Sequence, residues 1–324
     1  MRYVEDVFSA DGASLTAREI TAENLRELSR RASLSDERRL CELALLADEA
    51  ARSIAENVGA GMRVDEALVL LSGSLVCTPS ELHAAAAEEN VASLRRAEAR
   101  RRTVDQAALA HHVYTRLAAQ GVDVSIESLL PSEWAAPPVA YVRNPLADEA
   151  YDVISEMLPV IRPVFVRSFK EAAELVRRGE VGGCLLPLEE AGVRLSSVQT
   201  IVHTYDCKIA AVTPVFGPDG TAHMQYALLT PTFLPLHIEV DDDVYVEISC
   251  PKDAADHFAH LLAAEELGLE LYRTDTCSVS VDGEDQTVFS FVFRDTSHAL
   301  GAFVCYLSLF AEDTSVIGVY KNLE

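Results

Sequence analysis

Residues 139–231 alternate short apolar runs with amphipathic helical patterns, and this alternation restricts the possible fold more than any other feature of the sequence. VAYV, VIRPVFV, GGCLLPLEEA, CKIAAVTPVF and MQYALLTP have the length of strands, and LADEAYDVISEML and SFKEAAELVRR separate the first three of them. Fully apolar runs are typical of strands buried on both faces, and the helices between them fit crossovers on a largely parallel sheet. Residues 139–233 are therefore predicted to form a single α/β lobe.

The last part of the chain, residues 243–324, carries a different pattern of strand, helix, strand, strand, helix and strand. An acidic run, EVDDD, precedes it, and Asp282-Gly283 stands between two alternating runs, which is a strong signal for a β-hairpin. The order βαββαβ predicts a ferredoxin-like sandwich with two helices on one face of an antiparallel sheet.

The first part of the chain, residues 1–130, is rich in Ala, Leu, Glu and Arg at helical spacing, and it predicts a helical domain. Ser35 is predicted to cap a helix over residues 38–58, and Thr103 with Gln106 is predicted to begin another. Ser168 and Glu171 form the same kind of capping box in the lobe. A proline cluster at residues 131–138 separates the helices from the lobe.

The charge of the chain limits its partners. With 27 Lys+Arg against 51 Asp+Glu the formal net charge is -24, which repels nucleic acid and anionic membranes over most of the surface. The 7 cysteines are odd in number and contain no C-x-x-C pair, which favours a reduced, cytoplasmic protein over a disulfide framework. No apolar run is long enough for a membrane span, and no nucleotide-binding motif is present, so neither a membrane nor a cofactor is expected.

The order and spacing of elements from Val139 to Glu324 resemble the prephenate dehydratase family. The resemblance rests on VAYV and the helix after it, on SFKEAAELVRRGEVGGCLLPLEEA, on CKIAAVTPVF, and on a ferredoxin-like module that ends in SVIGVY. In that family a catalytic domain of periplasmic-binding-protein type precedes a regulatory ACT domain. The resemblance implies a role in aromatic amino acid biosynthesis, where prephenate loses water and carbon dioxide to give phenylpyruvate and phenylalanine at ACT interfaces regulates the enzyme.

Residues that cannot perform this chemistry occupy the positions of the family's catalytic motif. Its Thr-Arg-Phe falls on Met224, Gln225 and Tyr226. A thioether cannot donate a proton, and an amide cannot make the bidentate ionic bond of arginine with a carboxylate. The family also inserts a second lobe between CKIAAVTPVF and MQYALLTP, whereas only residues 217–221 stand there in this chain. We therefore expect no catalytic residues and one remaining lobe.

The resemblance also implies a ligand site in the lobe. The family's Pro-Ile-Glu-Asn-Ser falls on residues 187–191, which contribute Glu189 and Glu190. Its first ligand loop falls on residues 143–149, which contribute Arg143 and Asn144. These four side chains are the candidate ligand-binding residues.

A second site, for an effector, is implied in the ACT-like module. The family's glycine-containing loop before the first ACT helix falls on residues 251–256, and its Glu-Ser-Arg segment falls on residues 275–277. The candidate effector-binding residues are Asp253, Ala255, Asp256, Asp275 and Thr276.

Two further groups of residues have spacings that occur in functional sites. Asp253, His257 and His260 share one helical face, which suits a metal ion, but an exposed polar stripe is the favoured interpretation because no fourth ligand is evident. Cys207 with His203 suits a nucleophile and its base, but a buried small side chain is favoured for Cys207. No metal is therefore expected.

Three functions follow from these observations. The first is a non-catalytic relative of prephenate dehydratase, which binds a small ligand such as an amino acid or aromatic precursor and forms a homodimer through its ACT-like module. The second is an active prephenate dehydratase, a lyase, with an N-terminal chorismate mutase-like domain. The third is an ACT-sensing regulator that binds nucleic acid through the basic residues Arg95, Arg96, Arg100, Arg101 and Arg102.

Overall fold

The computed structural model of the protein describes residues 17–72, 91–130, 138–158, 161–217, 222–235, 243–252, 257–281, 284–321 and 323. Contacts divide the chain into two units, residues 1–46 and 47–324. The described part of the first unit is the N-terminal stretch of helix α1. The second unit contains the end of α1 and the other elements.

Four helices precede the sheet in the described sequence: α1 (Ala17–Gly59), α2 (Val64–Leu71), α3 (Val91–Ala119) and α4 (Ile126–Leu129). The predicted helix starts at Ser35 and Thr103 are wrong, because both residues lie inside longer helices. The hydroxyl of Thr103 donates to the carbonyl of Ala99 at 3.1 Å, which is the bond a threonine makes within a helix rather than at its start.

The lobe follows with β1 (Pro138–Val142), α5 (Pro145–Met157), β2 (Arg162–Val166), α6 (Phe169–Arg177), β3 (Gly183–Glu190), β4 (Val193–Arg194), α7 (Ser196–Thr204), β5 (Lys208–Phe216) and β6 (Ala222–Thr230). Strands β2, β1 and β3 are parallel, as predicted. The expectation of a largely parallel sheet is wrong for the rest, because β6 returns directly from β5 as a hairpin and pairs antiparallel with both β5 and β3.

The cap predicted for α6 at Ser168 is confirmed, although Glu171 bonds the backbone of Arg167 instead of that of Ser168. Ser168 Oγ accepts from the backbone N–H of Glu171 at 3.1 Å, and Glu171 Oε2 accepts from the backbone N–H of Arg167 at 2.8 Å. Gly179 follows the helix with φ 69°, a left-handed conformation that glycine adopts without strain.

The C-terminal part has the predicted βαββαβ order: β7 (Val244–Pro251), α8 (His257–Leu267), β8 (Leu269–Val281), β9 (Glu284–Asp295), α9 (Leu300–Phe310) and β10 (Ser315–Lys321). The hairpin prediction is confirmed, because β8 and β9 pair antiparallel up to Val281 and Glu284. Phe289 and Phe293, on one face of β9, meet the two helices, since His257 of α8 stacks on Phe289 at 4.7 Å and Phe303 of α9 packs against Phe293 at 5.3 Å.

One ten-stranded sheet joins the lobe to the C-terminal part. Its strand order is β2-β1-β3-β6-β5-β10-β7-β9-β8, with β4 beside β3. The joint is the parallel pair β5–β10, where Gly318 lies opposite Ile209. A Cβ at Gly318 would stand 2.9 Å from the Cβ of Ile209 and 3.1 Å from the ring of Tyr320. The absence of a side chain at Gly318 therefore allows the two strands to approach.

The hydrophobic core continues across the β5–β10 pair. Helix α5 covers one face of the lobe sheet, with Ile154 in a core that includes Leu185 and Tyr226. The core on the other face contains α6 and α7 and extends to Tyr245 and Tyr320 of the C-terminal strands. The chain is thus a mixed α/β protein with a continuous sheet. Among the described residues, no helix has the length and apolar character needed to cross a membrane.

Candidate functional site

The β3–β4 hairpin carries charged residues from the lobe onto the C-terminal sheet. Ala191 and Gly192 form its two-residue turn with φ of 48° and 82°, the left-handed values of the tight turns that suit hairpins. The turn brings Arg194 of β4 directly opposite Glu189 of β3. Both side chains then extend toward β7 and β8.

Arg194 is anchored on β7. Its Nη2 donates to Glu247 Oε2 at 2.9 Å, and its side chain is 5% exposed while that of Glu247 is 0% exposed. Ser290 Oγ donates to Glu247 Oε1 at 2.7 Å, and Tyr320 Oη donates to Glu247 Oε2 at 3.2 Å. Every acceptor oxygen of this buried carboxylate is therefore occupied, as the removal of a charge from water requires.

Arg273 of β8 makes the second link between the same parts. Its Nε donates to Asp275 Oδ2 at 2.5 Å and its Nη2 donates to the Gly192 carbonyl at 3.0 Å. Its Nη1 donates to Glu189, and Arg194 Nε lies 3.7 Å from Asp275 Oδ2. Arg194, Arg273, Glu189, Glu247 and Asp275 together form what we call the ion cluster.

The ion cluster holds three carboxylates against two guanidinium groups. Burial acts to lower the pKa of Arg194, but Glu247, Tyr320 and Asp275 together raise it above its ordinary value. Burial and Glu247 raise the pKa of Tyr320. Both groups therefore keep their protons, and the ion pairs persist over the whole physiological pH range.

Helix α7 lies over the face of β7 and β8 that carries the ion cluster. His203 Nε2 is 3.3 Å from Ser249 Oγ on β7, and Thr204 Oγ1 donates to the Ser280 carbonyl on β8 at 3.1 Å. Burial lowers the pKa of His203, and Glu247 offsets part of this effect. The imidazole is therefore kept neutral between the lobe and the C-terminal sheet.

This neutral histidine predicts a loss of stability in acid. The unfolded chain binds a proton at His203 near pH 6.5, whereas the folded protein does so only at lower pH, so the free energy of unfolding falls as pH drops below about 6.5. We expect His203→Gln, which keeps a polar partner for Ser249, to reduce the stability loss between about pH 7.5 and pH 5.5. Urea unfolding of both proteins at the two pH values measures this, and equal losses would contradict it.

The positions of the family's catalytic motif lie on β6 in the sheet. Tyr226 is 3% exposed and belongs to the core under α5, against which Met224 also packs. Gln225 stands opposite Glu189 in the β3–β6 ladder. Neither Met224 nor Tyr226 faces an open cleft, because their side chains contribute to the core.

The four candidate ligand residues have different contacts at the carboxyl ends of the neighbouring parallel strands β1 and β3. Asn144 Oδ1 caps α5 by accepting from Leu146 N at 3.1 Å, and Arg143 pairs with Asp148 at 3.4 Å and lies 4.9 Å above the ring of Phe165. Glu189 belongs to the ion cluster, and Glu190 is exposed beyond it. Arg143 and Asn144 follow β1, whereas both glutamates end β3.

The candidate effector residues divide between a described and an undescribed part. Asp253, Ala255 and Asp256 lie outside the described residues. Thr276 is exposed on β8, and Asp275 joins Glu189 through Arg273. The structure thus connects a residue predicted for the ligand site with one predicted for the effector site.

The two remaining groups of residues have structural contacts. Cys207 is 1% exposed and burial raises its pKa to about 12, and His203 contacts Ser249. His260 is buried and its Nε2 is 2.7 Å from Thr314 Oγ1. No cluster of three metal-ligating residues occurs in the described ranges.

Sequence reasoning missed Arg194, Arg273, Glu247, Ser290 and Tyr320. The local sequence contains no signal for Glu247, because alternation in VYVEIS places it with Tyr245 and Ser249 on the face opposite Val244, Val246 and Ile248. A buried carboxylate requires a cation. Nothing in the local sequence of Arg194 or Arg273 indicates that they supply it.

Fold and site define a mixed α/β protein in which buried ion pairs join an α/β lobe to a βαββαβ unit. Its structure is similar to that of a prephenate dehydratase from Streptococcus mutans, with 13% identity, a TM-score of 0.43, and 58% of this chain and 98% of that chain covered. It is also similar to a prephenate dehydratase from Arthrobacter aurescens in complex with L-Phe, with 11% identity and a TM-score of 0.41. This match covers 56% of this chain and 89% of that chain.

A third solved structure is described as GqqA, a novel type of quorum quenching acylase. It shares 13% identity at a TM-score of 0.41, with 57% of this chain and 94% of that chain covered. No family model and no curated protein matches the sequence.

Proposed function

We propose that this protein is a non-catalytic, prephenate dehydratase-like regulatory protein of the cytoplasm, which binds a small ligand and forms a homodimer through an ACT-like module. The observation that carries the proposal is the use of the family's functional positions in structural contacts. Glu189 is bound by Arg273, and Tyr226 is buried in the core under α5. A carboxylate held in an ion pair and a packed phenol are not free to bind and protonate a dianionic substrate.

The absence of a second lobe supports the same proposal. Phe216 of β5 pairs with Ala222 of β6, so the strands that would lead into that lobe form a closed hairpin. Catalysis of a decarboxylating dehydration requires a site that excludes water and orients the substrate. The lobe alone provides one wall of such a site.

The test of the non-catalytic role is phenylpyruvate formation from prephenate by the purified full chain. A catalytically inactive variant of a genuine prephenate dehydratase, purified in the same way, supplies the background. We expect turnover equal to this background. Turnover well above it that is lost in Glu189→Gln would contradict the proposal and favour an active lyase.

The free edge of β8 supports the homodimer. Helix α7 covers one face of the C-terminal sheet and α8 with α9 covers the other, so face-to-face pairing of two sheets is blocked by the chain itself. Strands β2 and β8 are the two edges of the described sheet. Pro163 lies in β2 and removes a donor there, whereas β8 offers 13 residues without a proline.

Exposed apolar side chains beside this edge support the proposed dimer contact. Phe258 of α8 is 68% exposed and Leu271 of β8 is 46% exposed. We expect Phe258→Glu with Leu271→Glu to convert a dimer into a monomer, because two copies would bury four like charges at their interface. Light scattering after gel filtration measures the mass. The matched control is Phe165→Glu on β2, where the side chain is 52% exposed and the mass should not change.

A monomeric wild-type protein at tens of micromolar would contradict the dimer. A dimer that survives the double substitution but dissociates in Phe165→Glu would move the interface to β2. Neither result affects the turnover test, so the homodimer and the non-catalytic role are tested independently.

A further inference from the structure

A cavity of about 170 Å³ lies where α3 and α4 meet the end of β9 and the start of α9. Tyr114, Ser125 and Ile126 line it from the helical side, and Val244, Asp295 and Leu300 line it from the sheet. An apolar cavity of about 150 Å³ is large enough to hold a benzene-sized body. Its walls combine the polar groups of Ser125, Asp295 and His298 with the apolar side chains of Val124, Ile126, Val244 and Leu300.

The cavity depends on Gly301. A Cβ at this position would stand 2.5 Å from the ring of Tyr114, so the ring lies directly against the backbone of α9. Burial, with smaller contributions from Cys305 and Asp295, raises the pKa of Tyr114. The cavity therefore presents a neutral phenol whose ring forms part of the wall.

Asp295 determines which ligand charge the cavity favours. Its Oδ1 accepts from Ala299 N at 3.0 Å, and its Oδ2 accepts from Leu300 N at 3.0 Å. The N-terminus of α9, which would otherwise attract an anion, is thus occupied by a carboxylate of the chain itself. A bound anion would meet Asp295, whereas a cation finds a carboxylate oxygen with a remaining lone pair.

The neighbouring charges also favour a cation over an anion. Asp123 and Glu127 belong to the turn and helix that supply Ser125 and Ile126. Arg294, the residue before Asp295, is paired with Glu270 at 2.5 Å and lies 3.8 Å from Asp243. His298 at the rim is exposed.

We propose that this cavity binds a small organic amine with an apolar body, the ammonium group against Asp295 and the body against Tyr114, Ile126 and Leu300. The aromatic ring of Tyr114 adds a cation–π contribution. The inference rests on the proposed role as a small-ligand-binding protein and names the ligand class. Such a ligand would contact both the N-terminal helices and the ACT-like module, and so would stabilise their association.

The experiment is calorimetric titration of the full chain at about pH 8, with phenethylamine as the probe and phenylacetate and 2-phenylethanol as the anionic and neutral comparisons. We expect phenethylamine to bind at least about fivefold more tightly than phenylacetate, the ratio that a partly exposed ion pair provides. Absence of phenethylamine binding, or equal binding of both, would overturn the proposal.

Two variants and one control locate the site. Asp295→Asn removes the charge and keeps one of the two acceptor oxygens at the start of α9, so the preference for the amine should disappear. Asp313→Asn removes an exposed carboxylate at the far end of α9, roughly 15 Å away, and should preserve the preference. A preference that survives Asp295→Asn would overturn the proposal.

Ser125→Phe tests the cavity and leaves in place the contacts of Asp295 with the start of α9. Ser125 is exposed at the start of α4, and a phenyl group there would fill the space. We expect the binding of phenethylamine to be lost while the melting temperature is unchanged, and retained binding would overturn the proposal. Mass and prephenate turnover, measured on the same samples, report the dimer and the non-catalytic role independently of this result.

Discussion

Arg194→Met is expected to destabilise the protein by about 3–5 kcal/mol, because it removes one partner of a buried ion pair. Methionine is about as long as the apolar stem of arginine, so the substitution removes the guanidinium and keeps the contacts of the stem. It leaves Glu189, Glu247 and Asp275 facing the single guanidinium of Arg273. Urea unfolding, followed by circular dichroism, measures the change in the free energy of unfolding.

A second substitution should recover most of the lost free energy of unfolding. In Arg194→Met with Glu247→Gln, two carboxylates face one guanidinium, which is the same excess of one negative charge as in the wild type. The amide of glutamine can accept from one of the hydroxyls of Ser290 and Tyr320 and donate to the other. We expect the double variant to recover at least half of the loss, since paired removal of buried charges is much less costly than removal of one.

The matched control is an exposed ion pair of the lobe. Arg143 is 66% exposed and pairs with Asp148, which is 38% exposed. Arg143→Met should cost less than about 1 kcal/mol, because solvent screens such pairs. If Arg194→Met costs no more than Arg143→Met, the ion cluster contributes little to the association of the lobe with the C-terminal sheet.

Gly318→Ala is expected to cost about 1–3 kcal/mol, a large effect for one methyl group in a strand. The added Cβ would stand 2.9 Å from the Cβ of Ile209 and 3.1 Å from the ring of Tyr320. Neither contact is with the far end of a flexible chain, so the strands themselves must move apart. The substitution therefore tests whether β5 and β10 form the joint of the sheet.

Gly59→Ala is the control for this prediction. It lies at the end of α1, where a Cβ would meet nothing within 4 Å. We expect a change within about 0.5 kcal/mol there. Urea unfolding of both alanine variants measures the change in the free energy of unfolding. Equal stability of the two alanine variants would contradict a close β5–β10 contact.

Local patterns in the sequence determined much of the secondary structure. The β8–β9 hairpin and the cap of α6 were predicted because each depends on residues a few positions apart. The predicted starts at Ser35 and Thr103 failed for the converse reason. A serine or threonine within a helix makes a different local bond, and only the packing of the whole helix decides between the two.

The candidate site was predictable in part. Glu189 and Asp275 were identified from the resemblance, but as members of two separate sites. Their connection through Arg273 was not foreseen, because Arg273 and Glu189 are 84 residues apart. Arg194 and Glu247, 53 residues apart, are likewise brought together by the fold alone.

The sequence by itself therefore determined the strands and the order βαββαβ, since hydrophobic alternation and turn residues act over short distances. The resemblance seen in the sequence predicts that Met224, Gln225 and Tyr226 stand at the positions of the family's catalytic motif. Only the tertiary structure decided that β10 lies beside β5 and that the ion cluster forms. The physical reason is that β-pairing and buried ion pairs are satisfied by any complementary partner in the chain, and the choice of partner depends on the packing of the complete sheet.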